Sequence, residues 1–298
     1  ADGYSMLVIS IGVICMKPRD RIVSALCREE PDRVPIWDLA VNASVAEKIV
    51  GEKYPPIQAN PPWPETFAMD RDQMVRLSVK GHILCYKKLH FDMLSVFPSP
   101  PLHFKPTLLK ENVITDEWGA TYQYVPETDQ AFVIDYPLKV PEDLENFSVP
   151  DPNADGRTDI PEMAVKMAEK EYVPVSCWLA GLCEFTVANL MGLGSFALFL
   201  HKYPSLLEKI LDCLTDFIEE LGKAIIDAGV EAIWFGNDTA NRNGPFLSPR
   251  LHKEIFVPRL RKLVESFHKK GVKVIMHSCG KVDLLIEDWL SIGVNAIH

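Results

Sequence analysis

The chain has no CxxC pair, no run of basic residues and no glycine-rich phosphate loop, and each absence removes a class of function. Its seven cysteines, Cys15, Cys27, Cys85, Cys177, Cys183, Cys213 and Cys279, are odd in number and irregular in spacing. That is no disulfide framework, so a reducing, cytoplasmic compartment is expected. There are 31 basic residues against 41 acidic ones, a net charge of −10. Nucleic-acid backbones are bound by basic surface, so nucleic acid is not the expected partner. No apolar run approaches the roughly 20 residues of a membrane span, so no membrane partner is expected either. Met6 to Cys15 is apolar, but it lacks the preceding basic segment and the following small-residue cleavage site of a signal peptide. Met16-Lys17-Pro18-Arg19 reads as a natural start, and residues 1–15 as a non-native or unstructured extension.

What the chain does have is material for a core. It is 47% apolar and 24% charged, a globular composition. Pro18 to Arg28 reads as a short helix, and Val34–Trp37 as a first strand. The prolines at 55, 56, 61, 62 and 64 mark an extended loop. A helix to about Leu89 precedes a strand at 91–97. Short β-prone runs at Val113–Thr115, Thr121–Val125 and Ala131–Ile134 then form antiparallel hairpins, an insertion over about 101–136. After it, helices and strands alternate. Strands are expected at 172–178, 230–235, 272–277 and 294–297. The helix from about Ser205 to Ala228 carries Leu207, Ile210, Leu211, Leu214, Phe217, Ile218, Leu221 and Ile225 on one face. Ser248-Pro249 caps the next helix, which is expected to kink at Pro258 and stop at Gly271. About six strands with helical crossovers indicate a parallel sheet. A (β/α)8 barrel has eight, so residues 16–298 read as one incomplete barrel domain. Gly192-Leu193-Gly194 is a lone GxG and reads as a turn, so no cofactor-binding motif is assigned.

Barrels place their chemistry at the C-terminal ends of the strands. Those ends supply Asp38, Asp92, Asn237 with Asp238, and His277 with Cys279; Glu184 opens the helix after the strand at 172–178. Each acid has a structural alternative. Asp38 or Asp92 could cap a helix, Asp238 could serve a turn, and Glu184 could simply complement a helix N-terminus. Cys177, Cys183 and Cys213 read as core thiols. His268, at a helix C-terminus, reads as structural. His277-Ser278-Cys279-Gly280 is harder to explain structurally. In extended chain the side chains at i and i+2 share a face, and imidazole with thiolate is a zinc-type ligand pair.

Four stretches carry a resemblance to the uroporphyrinogen decarboxylase superfamily, and most closely to its cobalamin-dependent methyltransferase branch. They are Arg19-Asp20-Arg21 through Glu30-Pro31-Asp32-Arg33-Val34-Pro35; Asp116-Glu117-Trp118-Gly119; Leu247-Ser248-Pro249 with Phe256-Val257-Pro258; and His277-Ser278-Cys279-Gly280-Lys281-Val282. The resemblance implies a (β/α)8 TIM barrel, truncated here after about six strands. It implies zinc on His277 and Cys279, with a third ligand expected beyond His298. It also implies methyl transfer between a corrinoid and a thiol or other small acceptor. No Asp-x-His-x-x-Gly is present: Ser266 stands where the Asp would precede His268-Lys269-Lys270-Gly271. The corrinoid is therefore expected on a partner protein, beside a small-molecule substrate and a homodimer contact. The acids Asp38, Asp92, Glu184 and Asp238 are the catalytic candidates. The alternative is uroporphyrinogen decarboxylase itself, which Asp92 would suit. Against it, Asp38-Leu39-Ala40-Val41-Asn42 has no arginine for a polycarboxylate. A non-catalytic partial barrel is the third reading.

Overall fold

The computed structural model describes residues 15–39, 41, 43–51, 71–105, 107–128, 130–168 and 174–298. The expected N-terminal extension, apart from Cys15, and the proline-rich loop lie outside them. Among the described residues the first helices are α1 (Pro18–Leu26), α2 (Ala43–Val50) and α3 (Arg71–Leu89). Strand β1 (Leu94–Val96) follows, then β2 (Thr107–Lys110), β3 (Val113–Thr115), β4 (Thr121–Val125) and β5 (Gln130–Asp135). Next come α4 (Asp159–Ala168), β6 (Val175–Ala180), α5 (Leu182–Glu184), a π-helix (Phe185–Met191), α6 (Gly192–Lys202) and α7 (Pro204–Asp227). Beyond lie β7 (Ala232–Gly236), β8 (Ala240–Asn241), β9 (Gly244–Pro245), α8 (Pro249–Ile255), α9 (Val257–Lys269), β10 (Lys273–His277), α10 (Ile286–Ser291) and β11 (Ala296–Ile297).

Strands β1, β6, β7, β10 and β11 form a wholly parallel sheet in the order of the chain. Sequential order with a helical return between strands is the wall of a (β/α)8 barrel. Among the described residues this parallel sheet has five strands, not six. The expected first strand, Val34–Trp37, runs extended beside Asp92 and stays outside the sheet. It is tied there by Asp92 N–H to Ile36 O at 2.7 Å and by Ile36 N–H to the Asp92 carboxylate at 2.8 Å, with no strand ladder. Pro35 has no N–H to give a ladder, and Val34 and Ile36 are exposed. Strands β2, β3, β4 and β5 form a separate antiparallel sheet.

Side-chain alternation divides the wall into two faces. Val175, Cys177, Leu179, Ile233, Phe235, Val274 and Met276 point outward into the large core shared with the helices. Helix α7 contributes Leu207, Ile210, Leu211, Leu214, Phe217, Ile218, Leu221 and Ile225, all buried, which is the face expected from the sequence. Each such side chain is worth about 1.5–3 kcal/mol. The inner face holds a smaller cluster of Met93, Ala232, Trp234 and Ile275, with Trp37 and Leu39 packed on it. The helix after Ser248 is interrupted at Phe256, just ahead of Val257-Pro258, because proline has no N–H for the previous turn.

Leu182–Lys202 is long and apolar enough to cross a membrane by length and composition alone, a property the reading of the sequence did not register. In this fold Phe185, Leu190, Met191, Phe196 and Phe199 from that stretch are buried in the protein core.

Candidate metal centre

Three side chains from two strand ends converge. Asp238 follows β7, His277 ends β10 and Cys279 lies two residues on. Their ligand atoms all fall within 4.8 Å of one another. His277 Nε2 lies 3.5 Å from Asp238 Oδ1 and 3.6 Å from Cys279 Sγ. Zinc bonds of about 2.0–2.3 Å set neighbouring tetrahedral donors roughly 3.3–3.8 Å apart, so the donor types and spacing fit zinc.

The local chain explains the convergence. His277 is paired with Gly236 across the parallel ladder, and Asn237 N–H donates to His277 O at 3.0 Å. Asp238 Oδ1 accepts the Cys279 backbone N–H at 2.6 Å, and Ser278 Oγ accepts the Thr239 N–H at 3.0 Å. Gly280 closes the motif with φ of 87°, a conformation that favours glycine. A Cβ there would stand 2.7 Å from the backbone of Ala240 and Asn241. This glycine lets the His-x-Cys turn dock on the β8–β9 hairpin.

Electrostatics place the donors in defined states. Burial pushes the His277 imidazolium down, against the pull of Asp238, which leaves a neutral ring with a lone pair to offer. Burial and the Asp238 carboxylate both push the Cys279 thiol up. A cation is what would convert that thiol to thiolate. Glu184 stands behind Asp238 and accepts its backbone N–H at 3.1 Å. Burial, helped by the Asp238 charge, raises Glu184 to about 7.

The other candidates part company. Asp38 is exposed, its carboxylate accepts the Leu39 N–H at 2.7 Å, and it reaches His277 only through its charge. Asp92 is misplaced by the sequence reading. The strand begins at Leu94, so Asp92 lies at its N-terminal end, away from the cluster. There it is 1% exposed, ion-paired to Arg21 and, at 2.7 Å, to Arg33. One residue escaped the sequence reading: His298 Nδ1 lies 2.9 Å from His277 Nδ1. A lone terminal histidine carries no local pattern, and only the β10–β11 pairing brings it there.

Beside the cluster is a cavity of about 680 Å³. Phe97, Trp178, Glu184 and Gly236 line the side nearer the strand ends, while Asp116, Tyr122 and Asn189 line another part of its wall. Gly236 admits the Trp178 indole: a Cβ there would fall 2.0 Å from Trp178 Nε1.

The profile described as Uroporphyrinogen decarboxylase (URO-D) matches residues 17–298. No curated protein matches the chain. Among solved structures, a methyltransferase from Methanosarcina mazei superposes with a TM-score of 0.68 at 22% identity, over 95% of this chain and 75% of that one. A B12-independent methionine synthase from Shewanella sp. W3-18-1, in complex with selenomethionine, gives a TM-score of 0.41 at 13% identity, over 76% and 58%. The first likeness agrees with the barrel topology; the second is too loose to bear on it. With its profile match running from the first helix to the last residue, the chain belongs to the uroporphyrinogen decarboxylase family.

Proposed function

We propose that this protein is a zinc-dependent methyltransferase, moving a methyl group between a corrinoid on a partner protein and a thiol or other small acceptor. The observation that carries the reading is the convergence of donor atoms from Asp238, His277 and Cys279, all within 4.8 Å of one another. On this reading Asp238 is a metal ligand rather than a catalytic acid, and it supplies a third donor within the chain. Residues 16–298 act as one domain, with the hairpins as its insertion.

Zinc held by this donor set would supply a positive charge that stabilises the anionic form of a substrate thiol. The chain's own residues do the rest. His298 orients the His277 ring, because two facing Nδ1 atoms at 2.9 Å need one N–H between them. If Nε2 faces the cation, His277 Nδ1–H donates to His298. Glu184, near 7, is suited to take the proton an entering thiol gives up. Cys279 is exposed, so the site is open to a large partner.

The decarboxylase alternative gains nothing from Asp92, whose carboxylate is neutralised by two arginines. The test is thiol methylation from methylcobalamin by zinc-loaded protein. Turnover that falls at least about 100-fold in Cys279→Ala supports the proposal. Turnover that survives the substitution, or robust uroporphyrinogen decarboxylation, refutes it.

A further inference from the structure

The cavity beside the cluster has a wall composition that selects among substrates. Phe97 and Trp178 meet edge to face at 5.0 Å. Phe185 and Phe217 flank Trp118 at 5.0 and 4.8 Å. All five of these rings line the space. Part of the wall comes from the π-helix Phe185–Met191. Such segments are uncommon and recur at functional sites, because the extra residue per turn redirects side chains. Here the segment contributes Phe185, Ala188 and Asn189 to the cavity wall.

The charges are as telling as the rings. Among the described lining residues Arg157 is the one base, and its guanidinium is already ion-paired. It bonds Glu117 twice, at 2.6 and 2.7 Å, and Asp151 O at 3.1 and 3.0 Å. Asp116 and Glu184 also line the space. A carboxylate or sulfonate seated among these rings would lose water and gain no unpaired cationic side chain from the wall, which disfavours binding. Hydrogen-bond acceptors, by contrast, are available. Tyr122 O–H donates to Asp116 Oδ2 at 3.1 Å and accepts from Asn189 Nδ2 at 2.8 Å. Asn189 Oδ1 takes no hydrogen bond from the described residues.

We propose that this cavity binds an uncharged aromatic substrate with a hydrogen-bond-donating substituent, the ring held among the aromatic side chains and the substituent at Asn189. The proposal rests on the methyl-transfer reading for what happens to the substrate, but not for its binding. It departs from the anionic substrate that a polycarboxylate-binding enzyme requires.

The test uses 2-methoxyphenol as probe, with 4-methoxybenzoate and 2-mercaptoethanesulfonate as charged comparators. Titration of the full chain by calorimetry and tryptophan fluorescence should give saturable binding of 2-methoxyphenol. Each charged comparator should bind at least about ten-fold more weakly. Asn189→Leu should weaken 2-methoxyphenol by about ten-fold. Ala188→Trp, at an exposed position on the cavity wall, should fill the space and abolish binding. Circular dichroism would establish that both variants remain folded. Equal or tighter binding of either charged comparator overturns the proposal, as does binding unchanged in both folded variants or no binding at all. The same titration on His277→Ala/Cys279→Ala separates the two claims. Aromatic binding without metal uptake by the native chain removes the zinc reading alone; metal uptake without aromatic binding removes this one alone.

Discussion

His277 and His298, ending one strand and following the next, face each other with their Nδ1 atoms 2.9 Å apart. The contact fixes the ring whose other nitrogen points at Asp238 and Cys279. Partners of this kind typically change metal affinity by about 10–100-fold. His298→Ala is therefore expected to weaken zinc binding by that factor without altering the circular dichroism spectrum. His298→Asn, which keeps a side-chain acceptor, should recover part of the loss. Competition with a zinc-sensitive dye measures both.

Gly280 makes a backbone prediction. Its φ of 87° and the 2.7 Å approach of the Ala240–Asn241 backbone leave no room for a methyl group. Gly280→Ala should cost about 1–3 kcal/mol in urea unfolding. It should also lower zinc affinity, because Cys279 is displaced. An unchanged unfolding midpoint would show that the hairpin yields.

Asp92 gives a contrasting outcome. Arg21 is almost as buried as its partner, with side-chain exposures of 4% and 1%. Asp92→Ala leaves that guanidinium with Asp32 as its remaining carboxylate and the Met16 carbonyl. A loss of about 3 kcal/mol in stability is expected. Zinc stoichiometry in the folded fraction should not change.

His252 sets an acid limit. It is 2% exposed, neither ring nitrogen has a hydrogen-bond partner among the described residues, and burial lowers it to about 4. The nearby Asp288 charge opposes the shift. Between the ordinary value near 6.5 and about 4, the unfolded chain binds the proton and the native one does not. Stability is therefore fully present above 6.5 and falls as pH drops through the folded value. Thermal melts from pH 7 to pH 4 should show this slope, and His252→Leu should flatten it.

The fold was legible wherever one segment determines its own periodicity. The α7 face, the Ser248 cap and the strand feeding His277 could all be read locally. Val34–Trp37 could not, because strand status depends on a neighbour to pair with. Asp92 was misassigned for a related reason: its arginine partners are 71 and 59 residues away. In the site, His277 and Cys279 announce themselves by spacing. Asp238 and His298 join them only through sheet register, from 41 residues upstream of Cys279 and 21 downstream of His277. The aromatic cavity depends on the packing of the hairpin sheet, the π-helix and α7, which no single stretch encodes.

The central claim is that Asp238, His277 and Cys279 form one metal site. Elemental analysis of the full chain after zinc loading and dialysis tests it most directly. The account predicts one zinc per native chain, near none in His277→Ala/Cys279→Ala, and marked loss in Asp238→Ala. The absence of stoichiometric zinc from the native chain, or the same zinc content in all three proteins, would contradict it.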